Sequence, residues 1–190
     1  MKRPNIAAAL ALVAAVMAAA GCSEVSPYVY TNYYALTQPV YSSEKQFKDD
    51  ALEINFWFDE KKIHFAVKNV SAEPVVIDWG RGAFVNIDGA KHSLANMRSI
   101  FTAKRDDPEP STLNPGETVE DYVSPVKNVE KLEEWTWYVY PLFNLKDDKA
   151  KANKGQTIGL DLPVKVKGDL RTYAFRFEVA AVIPAWNRFN

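Results

Sequence analysis

The chain after residue 50 consists largely of short runs in which apolar and polar residues alternate. Residues 52–58 alternate, a polar turn follows, and residues 63–67 resume the alternation. A period of two places every second side chain on the same face, which is typical of a half-buried β-strand. Two such runs separated by a short polar turn predict an antiparallel hairpin.

The rest of the chain repeats this pattern. The same criteria predict strands at 75–79, 84–87, 91–95, 118–123, 157–166 and 173–181. Asp88-Gly89 favours a tight hairpin turn, because both residues tolerate positive φ. Pro163 has no N–H to donate, so it predicts an edge strand or a bulge. Many short strands without a long amphipathic helix predict an all-β fold, an antiparallel β-sandwich.

Two segments do not fit a strand pattern. Residues 125–134 have apolar positions compatible with one or two helical turns, and residues 146–154 predict a solvated, charged loop. The run at 135–145 between them is rich in aromatic residues on both parities. Either one of its faces fills the core and a loop or the N-terminal segment covers the other, or it exposes an aromatic patch for a glycan, a peptide or a protein. The candidate binding patch consists of Trp57, Trp135, Trp137 and Trp186.

The first 23 residues follow a different pattern. Two basic residues precede a fifteen-residue apolar run at 6–20, which leads into Gly21 and Cys22, the only cysteine. This order of charge, apolar core and small residues resembles a secretory signal that ends in the bacterial lipobox. Ala19, three residues before the cysteine, departs from the leucine that is usual in the lipobox. The alternatives are an uncleaved membrane helix and a plain signal peptide with an incidental cysteine.

The lipobox resemblance implies cleavage before Cys22, which then carries a covalent diacylglycerol and an N-acyl chain such as palmitate. The run at 6–20 is short for a spanning helix, which needs ~20 apolar residues. Several acyl chains anchor a protein stably without such a helix. In that family Ser23 is compatible with export to the outer membrane. We therefore expect a lipid-anchored protein on the periplasmic side of the cell outer membrane.

These patterns divide the chain into three expected parts: a signal peptide at 1–21, a lipidated tether at 22–45 and a β-sandwich domain at 46–190. Five tyrosines lie between residues 26 and 41, so part of the tether is a candidate first strand. Without its first 21 residues the chain has 169 residues, 21 of them basic and 24 acidic. This length suffices for the core of one domain. The balanced charge argues against nucleic acid as a partner.

The chain offers few candidates for catalysis or metal binding. Its two histidines, His64 and His92, form a metal site only if both meet a carboxylate. No G-x-S-x-G motif provides a serine nucleophile. Gly80 and Gly82 indicate a bulge or a strand crossover rather than a dinucleotide site. We therefore expect no catalytic residue, no metal and no cofactor besides the lipid on Cys22.

The order of strands and turns between residues 63 and 125 resembles a group of poorly characterised bacterial lipoproteins. The resemblance rests on a strand that ends in Asn69, the strand Ile77-Asp78-Trp79, the turns Asp88-Gly89 and Asn114-Pro115-Gly116, and the pair Ser124-Pro125. It implies an immunoglobulin-like β-sandwich at a membrane surface and brings no catalytic residues with it.

Location and the lack of catalytic motifs predict a non-catalytic binding or scaffolding module of the cell envelope, with the membrane and an envelope protein as partners. The alternative is an envelope hydrolase or glycan-active protein that uses carboxylates, such as Asp78 or Glu178, beside exposed tryptophans. A third class, a ligand-carrying sandwich, requires a deep apolar pocket.

Overall fold

Thirteen strands and three short 3-10 turns make up the regular structure of residues 28–185, the part of the chain that the computed structural model describes. The strands are β1 (Tyr30–Gln38), β2 (Gln46–Lys48), β3 (Leu52–Phe58), β4 (Ile63–Asn69), β5 (Val75–Ile77), β6 (Ala83–Val85), β7 (Lys91–Asn96), β8 (Ser111–Leu113), β9 (Thr118–Pro125), β10 (Val129–Lys131), β11 (Trp137–Val139), β12 (Thr157–Val166) and β13 (Asp169–Pro184).

Antiparallel pairing joins eleven of the described strands into one continuous sheet. The order is β1-β13-β12-β6-β7-β9-β4-β3-β2, with β5 and β8 attached beside β12. β7 connects the two halves, because its first residues pair with β6 and its last residues pair with β9. The prediction of an all-β, antiparallel fold is confirmed. The specific immunoglobulin-like topology stays a prediction.

The hydrophobic core lies between the two halves of this sheet. The Phe56 ring on β3 lies 4.9 Å, centroid to centroid, from both Phe175 and Phe177 on β13. The alternation that predicted β3 and β4 places their apolar side chains in this core, with Ile54 and Phe65 fully buried. Burial of each such side chain contributes roughly 1.5–3 kcal/mol.

The strand β1 lies in the N-terminal segment that holds five tyrosines. It pairs with β13 along its length, beginning with Tyr30 opposite Pro184, and the side chain of Leu36 is fully buried. The nine residues of β1 lie within the tether expected at 22–45, and they form the candidate first strand. Their aliphatic alternation is weak, because Tyr30, Asn32 and Tyr34 occupy inward positions and Leu36 is the one large aliphatic side chain buried there.

Pro163 lies in an interior strand rather than at an edge. β12 has β13 on one side and β5 and β6 on the other. The carbonyl of Pro163 accepts the N–H of Asp78, just before the 3-10 turn Trp79–Arg81 that separates β5 from β6. The nitrogen of Pro163 faces this same side, where no ladder partner needs its missing hydrogen. The same turn contains Gly80 and ends at Gly82, and it occupies the place of the predicted bulge or crossover.

The segment from 125 to 154 is less regular than its sequence predicts. A 3-10 turn at Val126–Asn128 is the only helical part of the region 125–134, because β10 follows it directly. The aromatic run at 135–145 supplies only the three residues of β11, which pairs with β10 in a separate hairpin. Asp148–Asn153 forms another 3-10 turn within the predicted charged loop. No helix between residues 28 and 185 has the length and apolarity to cross a bilayer.

Candidate binding surface

Three rings form a row across the outer face of β3, β4 and β9, on the side opposite the core. Trp57 pairs with His64, and His64 pairs with Tyr122. The rings of Trp57 and His64 are stacked at 5.6 Å with an interplanar angle of 18°. The rings of His64 and Tyr122 lie 5.4 Å apart at 59°. We refer to these three residues as the aromatic row.

Local alternation determines which side chains reach this face. On β3, Phe56 points into the core, so its neighbour Trp57 points outward and remains 41% exposed. On β4, Ile63 and Phe65 are buried on either side of His64. A slip of one residue would reverse both strands and bury the row, so the core that fixes the register also fixes the row.

Asp59 holds His64 in place from the turn between β3 and β4. One of its carboxylate oxygens lies 2.8 Å from Nε2 of His64. The other accepts the backbone N–H groups of Lys61 and Lys62 at 2.6 and 2.7 Å. Burial raises the pKa of Asp59, but the hydrogen bonds from His64 and these two N–H groups outweigh it and lower the pKa below its usual value. The carboxylate therefore stays charged and restrains the imidazole.

Polar side chains cover the rest of this outer face. The row next to the aromatic one consists of Asn55, Ala66 and Glu120, which pair across the same three strands. The following row consists of Glu53, Lys68 and Thr118. Ala66 has the shortest side chain of these six residues and lies between Asn55 on β3 and Glu120 on β9.

Lysines flank the face and balance its carboxylates. The ammonium group of Lys62 lies 4.1 Å from the centroid of the Tyr122 ring, a cation–π contact. Lys48 pairs with Glu53 at 2.8 Å. With Lys68 as a third cation, the face carries lysines and carboxylates in equal number, Asp59, Glu53 and Glu120 being the carboxylates.

The β10–β11 hairpin packs beside the aromatic row. A second apolar cluster lies beneath it, in which the hairpin valines Val129 and Val139 meet Ala95 and Ile100. Tyr122 and Trp137 pack against this cluster from its rim. Tyr122 therefore joins the aromatic row to the hairpin.

The predicted patch is only partly assembled. Trp57 lies in the aromatic row, and Trp137 is half-buried with its ring 6.4 Å from that of Phe101. Trp135 is 86% exposed in the loop between β10 and β11, and no ring contact joins it to the others among the described residues. Trp186 and the lipidation candidate Cys22 lie outside the described residues.

Sequence reasoning missed the remaining members of the row. The sequence singles out His64 only as a possible metal ligand, and it singles out neither Tyr122 nor Asp59. Their strand parity is visible in the sequence, since His64 and Tyr122 both alternate with inward-facing residues. The order β3-β4-β9, which brings them together, is not visible.

The described residues contain no group of three or more His, Cys, Asp or Glu side chains placed to hold a metal ion. His92 contacts Asn86 and Lys127 rather than His64. Asp78 bonds to Pro163, which pairs with Thr172 on β13. Glu178 follows six residues later, about 20 Å along the strand, so these two carboxylates do not converge.

A cavity of about 300 Å³ lies under the loop that follows β7. Asn96 and Ser99 are its buried polar residues, and Arg98, Lys104 and Asp107 bring charge to its wall. Apolar atoms nevertheless make up most of its lining surface, and the ligand-carrying sandwich stays a prediction.

Comparisons with known proteins add one distant likeness. No protein-family model and no curated protein matches the chain. Among solved structures, the crystal structure of "a putative lipoprotein (ycdA)" from Bacillus subtilis subsp. subtilis str. 168 matches with 15% sequence identity and a TM-score of 0.40. The match covers 74% of this chain and 40% of that chain, so this chain spans less than half of that protein's length. A likeness this distant assigns no function to the chain.

Proposed function

We propose that this protein is a non-catalytic binding or scaffolding module of the cell envelope, anchored by lipid on Cys22 to the periplasmic side of the outer membrane. The observation that carries the binding role is the outer face of β3, β4 and β9. There Trp57 is 41% exposed, whereas many other aromatic side chains of the described residues are buried in the core. An exposed aromatic ring that neighbouring groups hold in place is typical of a recognition surface.

The anchor rests on the sequence alone. The basic start, the apolar run at 6–20 and the Gly21-Cys22 pair support signal cleavage and acylation. Ser23 supports export to the outer membrane. We also propose an immunoglobulin-like relationship for the domain, which the two facing antiparallel halves of the sheet support.

The anchor is tested by Cys22→Ser in the full chain. We expect loss of labelling by a radioactive or clickable fatty acid and transfer of the protein from the membrane fraction to the soluble fraction, because no acyl chain then holds it. Unchanged sedimentation with outer membranes would contradict the anchor.

The binding role is tested by capture from solubilised envelopes of the native organism. The lipidated protein should retain an envelope component, and Trp57→Ala should lose most of it. Tyr33→Ala is the matched control, because Tyr33 is a 54% exposed aromatic residue on β1, a strand that pairs with β13 and with none of β3, β4 and β9. Equal capture by all three proteins would overturn the binding role of this face. Cleavage of a cell-wall substrate by the purified protein would overturn its non-catalytic role.

A further inference from the structure

We infer that the ligand of this face is a glycan chain, bound across β3, β4 and β9 with a sugar ring stacked on Trp57. This inference rests on the proposed binding function and specifies the chemical class of its ligand.

The first argument is the exposure of the Trp57 ring. One side of the indole lies against His64 at 5.6 Å, and the residue remains 41% exposed. Part of the indole is therefore accessible to a ligand. A pyranose ring presents a flat array of polarised C–H bonds, which is complementary to the electron-rich face of an indole.

The second argument is that the row is fixed before any ligand binds. The Trp57 ring stacks on the imidazole of His64, and the Tyr122 ring packs against the same imidazole. A carboxylate oxygen of Asp59 lies 2.8 Å from Nε2 of His64. Because these side chains are already ordered, stacking a sugar on them costs little conformational entropy. Weak, hydroxyl-rich ligands depend on such rigid platforms.

The third argument is the polar lining beside the row. Asn55 donates and accepts hydrogen bonds, and Glu120 accepts them from the opposite strand. The short side chain of Ala66 lies between them. Sugar hydroxyls act as both donors and acceptors, so they match a mixed lining of amide, carboxylate and ammonium groups.

The composition of the face disfavours the other ligand classes. Protein interfaces need a contiguous apolar centre, whereas Trp57, Ala66 and Tyr122 are the only apolar or aromatic carbon surfaces on these rows apart from the imidazole. A polyanion or a polycation needs an excess of one charge, whereas lysines and carboxylates are balanced here. A neutral, hydroxyl-rich chain fits both observations.

The dimensions are also suitable. Trp57 and Tyr122 are two strands apart, which is about 10 Å at the usual strand spacing. This is the length of a disaccharide, so a chain that crosses the strands covers the row with two or more sugars.

The experiment is isothermal titration of the full-chain protein with chitohexaose, cellohexaose and maltohexaose, together with cosedimentation on purified peptidoglycan sacculi. We expect saturable binding of at least one of these glycans. Trp57→Ala should weaken it about tenfold, the factor that one lost aromatic contact represents. Trp57→Phe should retain part of the affinity, because it keeps an aromatic face.

Tyr33→Ala is the control and should bind as the unchanged protein does. Equal weakening by Tyr33→Ala and Trp57→Ala would overturn the site, and the absence of binding to all three oligosaccharides and to sacculi would overturn the glycan class.

If no glycan binds but envelope capture still depends on Trp57 and the captured component is a protein, the binding function stands and only the ligand class was wrong. If capture also fails, both proposals fall. Circular dichroism of each variant establishes that it is folded.

Discussion

At the scale of single residues, the buried charge of Asp161 ties three strands together. The side chain is 5% exposed, and its oxygens lie 2.6 Å from Lys91 Nζ and 2.7 Å from Arg176 Nη1. Burial raises the pKa of Asp161, but the hydrogen bonds from Lys91 and Arg176 outweigh it and lower the pKa below its usual value. These ion pairs therefore connect β12 to β7 and add to the backbone pairing of β12 with β13.

We predict that Asp161→Asn lowers the free energy of unfolding by about 2 kcal/mol at pH 7, because both cations lose a charged partner. A pKa lowered by folding stabilises the protein above the unfolded-state pKa of about 4, and this contribution disappears as the pH falls through the folded-state pKa. Urea denaturation should therefore show the difference between variant and parent shrinking below about pH 4. A difference that is equally large at low pH would contradict the role of the charge.

The candidate site shows which residues local sequence can predict. The outward position of Trp57 follows from alternation with Phe56, which is a local property of β3. The meeting of His64 and Tyr122, which are 58 residues apart in the sequence, depends on the pairing of β4 with β9. Periodicity carries no information about such pairing, so the row could not be predicted although the direction of each side chain could.

At the scale of elements, β1 and β12 show how neighbours override local signals. Pro163 predicts an edge strand, yet β12 is interior. The chain between β5 and β6 leaves the sheet opposite Pro163, so no neighbouring carbonyl there requires the N–H that proline lacks. β1 lacks a clear aliphatic alternation, yet it pairs with β13. In both cases the partner strand decides the outcome.

The place of β1 in the core leads to a direct prediction. Leu36 is fully buried, so Leu36→Ala should lower the free energy of unfolding by about 2–5 kcal/mol. Val40→Ala, two residues after β1 at a position that is 48% exposed, should change it by less than about 0.5 kcal/mol. Urea denaturation at neutral pH measures both. Equal and small effects would show that this segment is a tether after all.

At the scale of the whole molecule, the sheet separates a packed interior from the outer face for which we propose a binding role. The two halves joined by β7 enclose the aromatic and aliphatic core. The β10–β11 hairpin covers part of the outer side next to β7, and the remainder of β3, β4 and β9 stays open. The class of fold was predictable because alternation is repeated in nearly every strand, whereas the uncovered region depends on where the hairpin packs.

The most direct test of a binding role for this face is site-specific photocrosslinking in living cells. p-Benzoylphenylalanine placed at Asn55, beside the aromatic row, should give a crosslinked adduct with an envelope component after irradiation. The same probe at Tyr33, exposed on β1, should give none. Adducts of equal yield from both positions, or no adduct from Asn55 in a protein that is folded and membrane-anchored, would contradict the account.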